Sequence, residues 1–104
     1  MNSALQQLRQ HGIEIRHYIP GRLRFSVREL ARDQVLAQRI QMTLQQVPGV
    51  TKVEYHPATT SVLVLFDRGQ FTQPGNIEHL LTVLNGIFPA VGIDVWRGLW
   101  AAGA

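Results

Sequence analysis

The chain reads as one α+β domain with elements in the order β-α-β-β-α-β. Three observations carry that reading. Short runs with alternating apolar residues recur at Leu23, Phe25 and Val27 and again at Val62, Val64 and Phe66. Two stretches, Leu36–Val47 and Ile77–Phe88, space their apolar residues three and four apart, as one face of a helix requires. Pro-Gly pairs and Pro-containing turns separate these runs.

Taken in order, residues 1–12 form a lead-in, with Ala4, Leu5 and Leu8 on one side of a short helix that Gly12 ends. Ile13 and Ile15 begin an entry strand. Pro20-Gly21 interrupts it, because proline lacks the donor a ladder needs and glycine admits a kink. The main strand follows from Arg22 to Val27. Asp33 is a suitable N-cap for the first long helix, since a short carboxylate accepts from an unpaired first-turn N–H. Leu36, Ile40, Leu44 and Val47 lie on its buried face, Gln45 falls on the other side, and Pro48-Gly49 stops it.

Val50–Tyr55 is the next strand, with Val53 and Tyr55 on one face and Lys52 and Glu54 on the other. His56-Pro57-Ala58-Thr59-Thr60 turns the chain into a third strand. There Leu63 and Leu65 make the second face apolar too, which suits a central place in the sheet. Pro74 sits in the first turn of the second long helix, whose stripe is Ile77, Leu80, Leu81, Leu84 and Phe88. Val91, Ile93 and Val95 alternate as a last strand, and residues 97–104 form an apolar tail. This order is the split βαβ arrangement called ferredoxin-like, a four-stranded antiparallel sheet with two helices on one face. Residues 13–96 form that domain.

With 104 residues, 45% of them hydrophobic and 16% charged, the chain is long and apolar enough for one core. It has no cysteine, which excludes disulfides, thiolate metal sites and a nucleophilic thiol. Its net charge is +3, and nine of its ten basic residues are arginine, whose planar forks suit carboxylates and phosphates. No run reaches the roughly 18–20 apolar residues of a membrane span, and the first residues lack the apolar run of a signal peptide. The cytoplasm is therefore the expected location, with membrane association only through a partner.

Catalytic patterns are missing: no Gly-x-Ser-x-Gly, no phosphate loop and no nucleophile with a placed base occurs. The expectation is a binding module and no enzyme. The four histidines, His11, His17, His56 and His79, have none of the spacings that mark a zinc site. Arg22 and Arg24 alternate with Leu23 and Phe25, so they face away from the helices, with Arg28 farther along the same register. Such a row suits an acidic partner surface. Nucleic acid is not the expected ligand, because Phe25 points to the helix side and the paired aromatics that stack RNA bases are missing. His17 and Tyr18, beside the Pro20-Gly21 interruption, are the candidate ligands for iron or haem.

From Ala31 to Asp67 the sequence resembles the heavy-metal-associated domain family. Ile40, Leu44 and Val47 match its helix core, Pro48-Gly49-Val50 its Pro-Gly-Val, and Thr59 the threonine of its turn, with His56 at the asparagine. Phe66-Asp67 matches its Tyr-Asp. The family's two metal-binding cysteines fall on Asp33 and Leu36, so its copper chemistry is not carried over: leucine is no ligand. His17-Tyr18-Ile19-Pro20-Gly21-Arg22-Leu23-Arg24 resembles the H-x-x-P-G-R-x-R signature of a cysteine-free branch, found ahead of or beside P-type metal-transporting ATPases and as small stand-alone proteins.

What the resemblance implies is an adaptor in transition-metal handling, with iron as the metal and a P-type ATPase as partner. It would act through Arg22, Arg24, Pro20 and Gly21. Two alternatives stand beside it: direct binding of iron or haem by His17 and Tyr18, completed at a homodimer interface, and a purely structural protein-interaction domain.

Overall fold

The computed structural model describes residues 3–103. Its elements are α1 (Ser3–Gln10), β1 (Ile13–Ile19), β2 (Arg22–Val27), α2 (Gln34–Gln45), β3 (Val50–His56), β4 (Ser61–Phe66), α3 (Pro74–Ile87) and α4 (Ile93–Gly103). The four strands form one antiparallel sheet in the order β1-β2-β4-β3. The α+β class and the four-stranded antiparallel sheet under helices agree with a ferredoxin-like fold.

The identity of the fourth strand differs from the sequence reading. Val91, Ile93 and Val95 make no strand: Val91 closes a turn, and Ile93 and Val95 belong to α4. The entry segment takes the vacant place instead. β1 folds back on β2 through Pro20-Gly21 and occupies the sheet edge where a C-terminal strand would lie. Helical spacing explains the change at the C-terminus, since Trp96 and Trp100 are four residues apart and both turn inward. Trp96 is buried and packs against Phe88, with ring centroids 5.9 Å apart. Trp100 stands 5.9 Å from Phe71 and 6.4 Å from Phe66. Alternation at 91–95 mimicked a strand only because the tryptophans were outside that short window. Helix α4 runs through residues 96 and 97 without a break and packs on α1 and α3.

One core joins the elements. Phe25, Val27, Val53, Val62 and Val64 from the sheet meet Ile40 and Leu44 of α2, Leu80, Leu81 and Leu84 of α3, Leu8 of α1 and Trp96 of α4. Fully burying a leucine or phenylalanine contributes about 1.5–3 kcal/mol, so this cluster dominates the stability. Asp33 caps α2 as the sequence indicates, its Oδ1 accepting from the Leu36 N–H at 2.9 Å. Gly49 explains the Pro-Gly-Val corner. Its φ is +93°, and a Cβ there would lie 2.8 Å from Cε2 of Phe71. Only glycine lets the chain pass this close to the ring.

Sheet edges need protection from further pairing. At β3 the protection comes from α2. Gln45 Oε1 accepts from the Val53 N–H at 3.1 Å, and Gln41 Nε2 donates to the Val53 carbonyl at 3.2 Å. Two glutamines four apart thus satisfy both main-chain groups that Val53 turns away from β4.

Candidate functional site: the open face of the sheet

Helices cover one side of the sheet and leave the other open. Strand pairing lines up the open side in rows. Ile19, Arg22, Leu65 and Lys52 make one row, and His17, Arg24, Leu63 and Glu54 the next. Ser26 and Ser61 pair in a third, between Glu14 of β1 and His56 of β3.

Arg22 and Arg24 therefore lie on this face as the alternation indicates. Arg22 is exposed. Arg24 is half-buried, its Nε and Nη2 donating to Ser61 Oγ at 3.4 and 3.3 Å. Arg28 leaves the row. It starts a short 3-10 turn after β2, and its backbone N–H donates to the Gly12 carbonyl at 2.8 Å. Pro20 and Gly21 form the two-residue link between β1 and β2. Proline fixes φ near −65° and Gly21 has φ +91°, the pattern of a type II turn. The Gly21 carbonyl accepts from the Phe66 N–H at 3.0 Å, which ties the turn to β4.

Charges on this face are unevenly matched. Glu54 is taken up by Lys52 at 2.6 Å and His56 at 3.4 Å. The Lys52 hydrogen bond and charge hold the Glu54 carboxyl below its ordinary value. Glu14 stands 3.6 Å from Arg16. Among the described residues Arg22 and Arg24 have no carboxylate partner, so their charge is available to something outside the chain.

His17 and Tyr18 do not come together. A bulge between Ile15 and His17 resets the register, after which His17 pairs with Arg24 on the open face and Tyr18 with Leu23 on the helix side. His17 is exposed. Tyr18 borders a groove of about 700 Å³ with Phe66, Phe71, Trp100 and Arg68. A single ion on one face is thus within reach of one of the pair only. Among the described residues no three His, Asp or Glu side chains gather to hold a metal ion.

The chain matches the family model described as heavy metal associated domain 2 over residues 5–85. It belongs to that family. Domains of this family are generally metal-binding modules rather than enzymes. No curated protein matches the chain. For this heavy-metal-associated domain the donor set does not fit the cuprous chemistry of the two-cysteine pattern. Asp33 is spent on the α2 cap, and Leu36 packs against the core. Among the described residues no helix is long and apolar enough to cross a membrane.

Sequence reasoning missed two serines. Ser26 and Ser61 are 6% and 2% exposed on the open face, where arginines lie over them. Arg16 Nε donates to Ser26 Oγ at 3.1 Å, as Arg24 does to Ser61. Their signal was present: Ser26 continues the Arg22–Arg24 alternation, and Ser61 opens β4 on the Leu63–Leu65 face.

Proposed function

We propose that this domain is a non-catalytic adaptor in transition-metal handling, with iron as the metal, that docks on a P-type metal-transporting ATPase through its open sheet face. The observation that carries the reading is the unmatched pair Arg22 and Arg24 on a face no helix covers, next to the Pro20-Gly21 turn. Family membership supplies the metal context. The resemblance of residues 17–24 to the H-x-x-P-G-R-x-R signature supplies the partner. Arginine forks favour carboxylate-bearing surfaces, and desolvation at an interface raises the strength of such contacts. The apolar Leu63 and Leu65 beside them, with exposed Ile19, give the face a surface to bury on docking.

Arg22→Ala is the clean test, because the Arg22 side chain is exposed and has no carboxylate partner among the described residues. Melting stays near that of the unaltered domain, since an exposed charge adds about 0–1 kcal/mol. Capture of the ATPase from a native membrane extract, scored by mass spectrometry, falls at least tenfold, because losing a charged partner at a desolvated interface costs about 2–5 kcal/mol. Arg24→Ala also loses long hydrogen bonds to Ser61 and costs about 0.5–1.5 kcal/mol of stability. Undiminished ATPase capture by the folded Arg22→Ala domain refutes the docking face, and recovery of no ATPase by the unaltered domain refutes the partner.

A further inference from the structure

The serine end of the open face gathers further arginines around Arg24, away from Arg22. Two adjoining hollows lie there. One, of about 350 Å³, is lined by Arg9 of α1, Arg16 of β1, Arg28, Ser26 and Thr60, with Glu14 on its wall. The other, of about 430 Å³, is lined by Arg16, Arg24, Thr59 and Ser61. Arg16 belongs to both.

Charge is the deciding quantity. Four arginines against one glutamate leave three positive charges at this notch, which equals the formal net charge of the whole chain, +3. The remaining six basic and six acidic side chains cancel. This corner, supplied by α1, β1, β2 and the turn after β2, thus carries as much net charge as the whole chain.

The guanidiniums are also held in place. Ser26 Oγ accepts from Arg16, Ser61 Oγ accepts from Arg24, and Thr59 Oγ1 braces Ser61 at 2.6 Å. Both serines are buried, so their hydroxyls anchor Arg16 through Nε and Arg24 through Nε and Nη2. Positioning of this kind lowers the entropy lost on binding an anion.

We propose that this notch binds a short phosphate chain, a di- or triphosphate, with Arg16 bridging its two hollows. Arginine forks match phosphate oxygens two at a time. Arg24 and Ser26 are two residues apart on one strand face, about 6.6 Å along the strand, so the two hollows lie side by side. The hydroxyls of Thr59 and Thr60 at the rim are engaged within the fold, Thr59 with Ser61 and Thr60 with the Thr59 carbonyl, so the arginines carry the recognition. The site shares Arg24 with the docking reading and adds Arg9, Arg16 and Arg28, while Arg22 lines neither hollow and so separates the two.

Isothermal titration calorimetry of the full chain, in magnesium-free buffer at fixed ionic strength, tests this with inorganic pyrophosphate and with ADP. Saturable one-to-one binding of at least one is expected. Arg16→Ala and Arg28→Ala each weaken it tenfold or more, while Arg22→Ala, which removes the same charge elsewhere, changes it less than threefold. Ser26→Ala keeps every charge and weakens binding at least threefold by releasing Arg16. Circular dichroism checks each fold, and Arg28→Ala, altering an exposed side chain, carries the test if Arg16→Ala does not fold. Equal affinity for the two ligands assigns recognition to the phosphate chain alone, and tighter ADP assigns a nucleotide. Equal weakening by Arg22→Ala and Arg28→Ala, or no saturable binding of either ligand, overturns the proposal. Lost ATPase capture by Arg22→Ala with intact pyrophosphate binding leaves this site standing whatever the partner.

Discussion

Replacing Gln45 with alanine tests how the far edge of the sheet is protected. Position 45 is exposed and lies opposite Leu44 on α2, so helical periodicity alone makes it an ordinary surface site costing under about 0.5 kcal/mol. The fold says otherwise. Gln45 Oε1 accepts from the Val53 N–H, and Val53 is only 4% exposed. A net hydrogen bond contributes about 0.5–1.5 kcal/mol, and a donor left unpaired in a buried place costs about 1–3 kcal/mol. Alanine returns a few tenths as the better helix former, about 0.3 kcal/mol. The expected loss is about 1–1.5 kcal/mol, or roughly 4–10 °C in melting temperature for a domain of this size. Gln38→Ala is the matched control, the same change on the same helix at an exposed position with no side-chain hydrogen bond among the described residues. Leu44→Ala sets the upper end, at about 2–5 kcal/mol for a buried leucine. Urea midpoints at constant slope separate the three. Equal midpoints for Gln45→Ala and Gln38→Ala refute the edge clamp, and a Leu44→Ala midpoint equal to theirs means α2 is rotated.

Two further outcomes follow from the ion pairs and from the absent thiolates. Hydrogen bonds from Lys52 to Glu54 and from Arg97 to Glu78 hold both carboxyls below the usual value near 4.5. Their stabilising effect is fully present above that unfolded value and is lost as pH falls through the lowered folded values. Urea midpoints measured downward from pH 6 should decline on the acid side of 4.5, and less steeply in Glu54→Gln with Glu78→Gln; an unchanged slope in the double variant contradicts this. In competition with a chelator of nanomolar affinity, the monomer should retain neither cuprous copper nor zinc, because Asp33 is a helix cap and Leu36 is no ligand; stoichiometric retention of either metal sinks that claim.

Local patterns made most of this molecule readable, and contacts distant in sequence made the rest hard. The Asp33 cap, the Ile40–Leu44–Val47 face and the two apolar faces of β4 each follow from spacing within about a dozen residues. The arginines of β2 were placed correctly because strand alternation has period two. The edge role of β1 was not legible, since Pro20-Gly21 reads equally well as a kink in one long strand or a turn between two. The helix at 93–103 was hidden by a three-residue alternation, and the rings its tryptophans pack on, Phe88 and Phe71, lie outside that window. The hollow bordered by Arg9, Arg16 and Arg28 joins three separate elements and Thr60 from a distant turn, so no single helical or strand period reveals it.

The β1–β2 hairpin also sets the order in which the fold becomes possible during synthesis. In a β-α-β-β-α-β chain the last strand to be made completes the sheet. Here every strand has been made by Phe66. At about 5–20 residues per second residues 67–104 take roughly 2–8 s to be made, against about 1–10 μs for a hairpin to form. The sheet is complete in covalent sequence well before α3 and α4 arrive to cover Val64 and Phe66. The strands of this protein are thus synthesised ahead of the two helices whose residues complete their core.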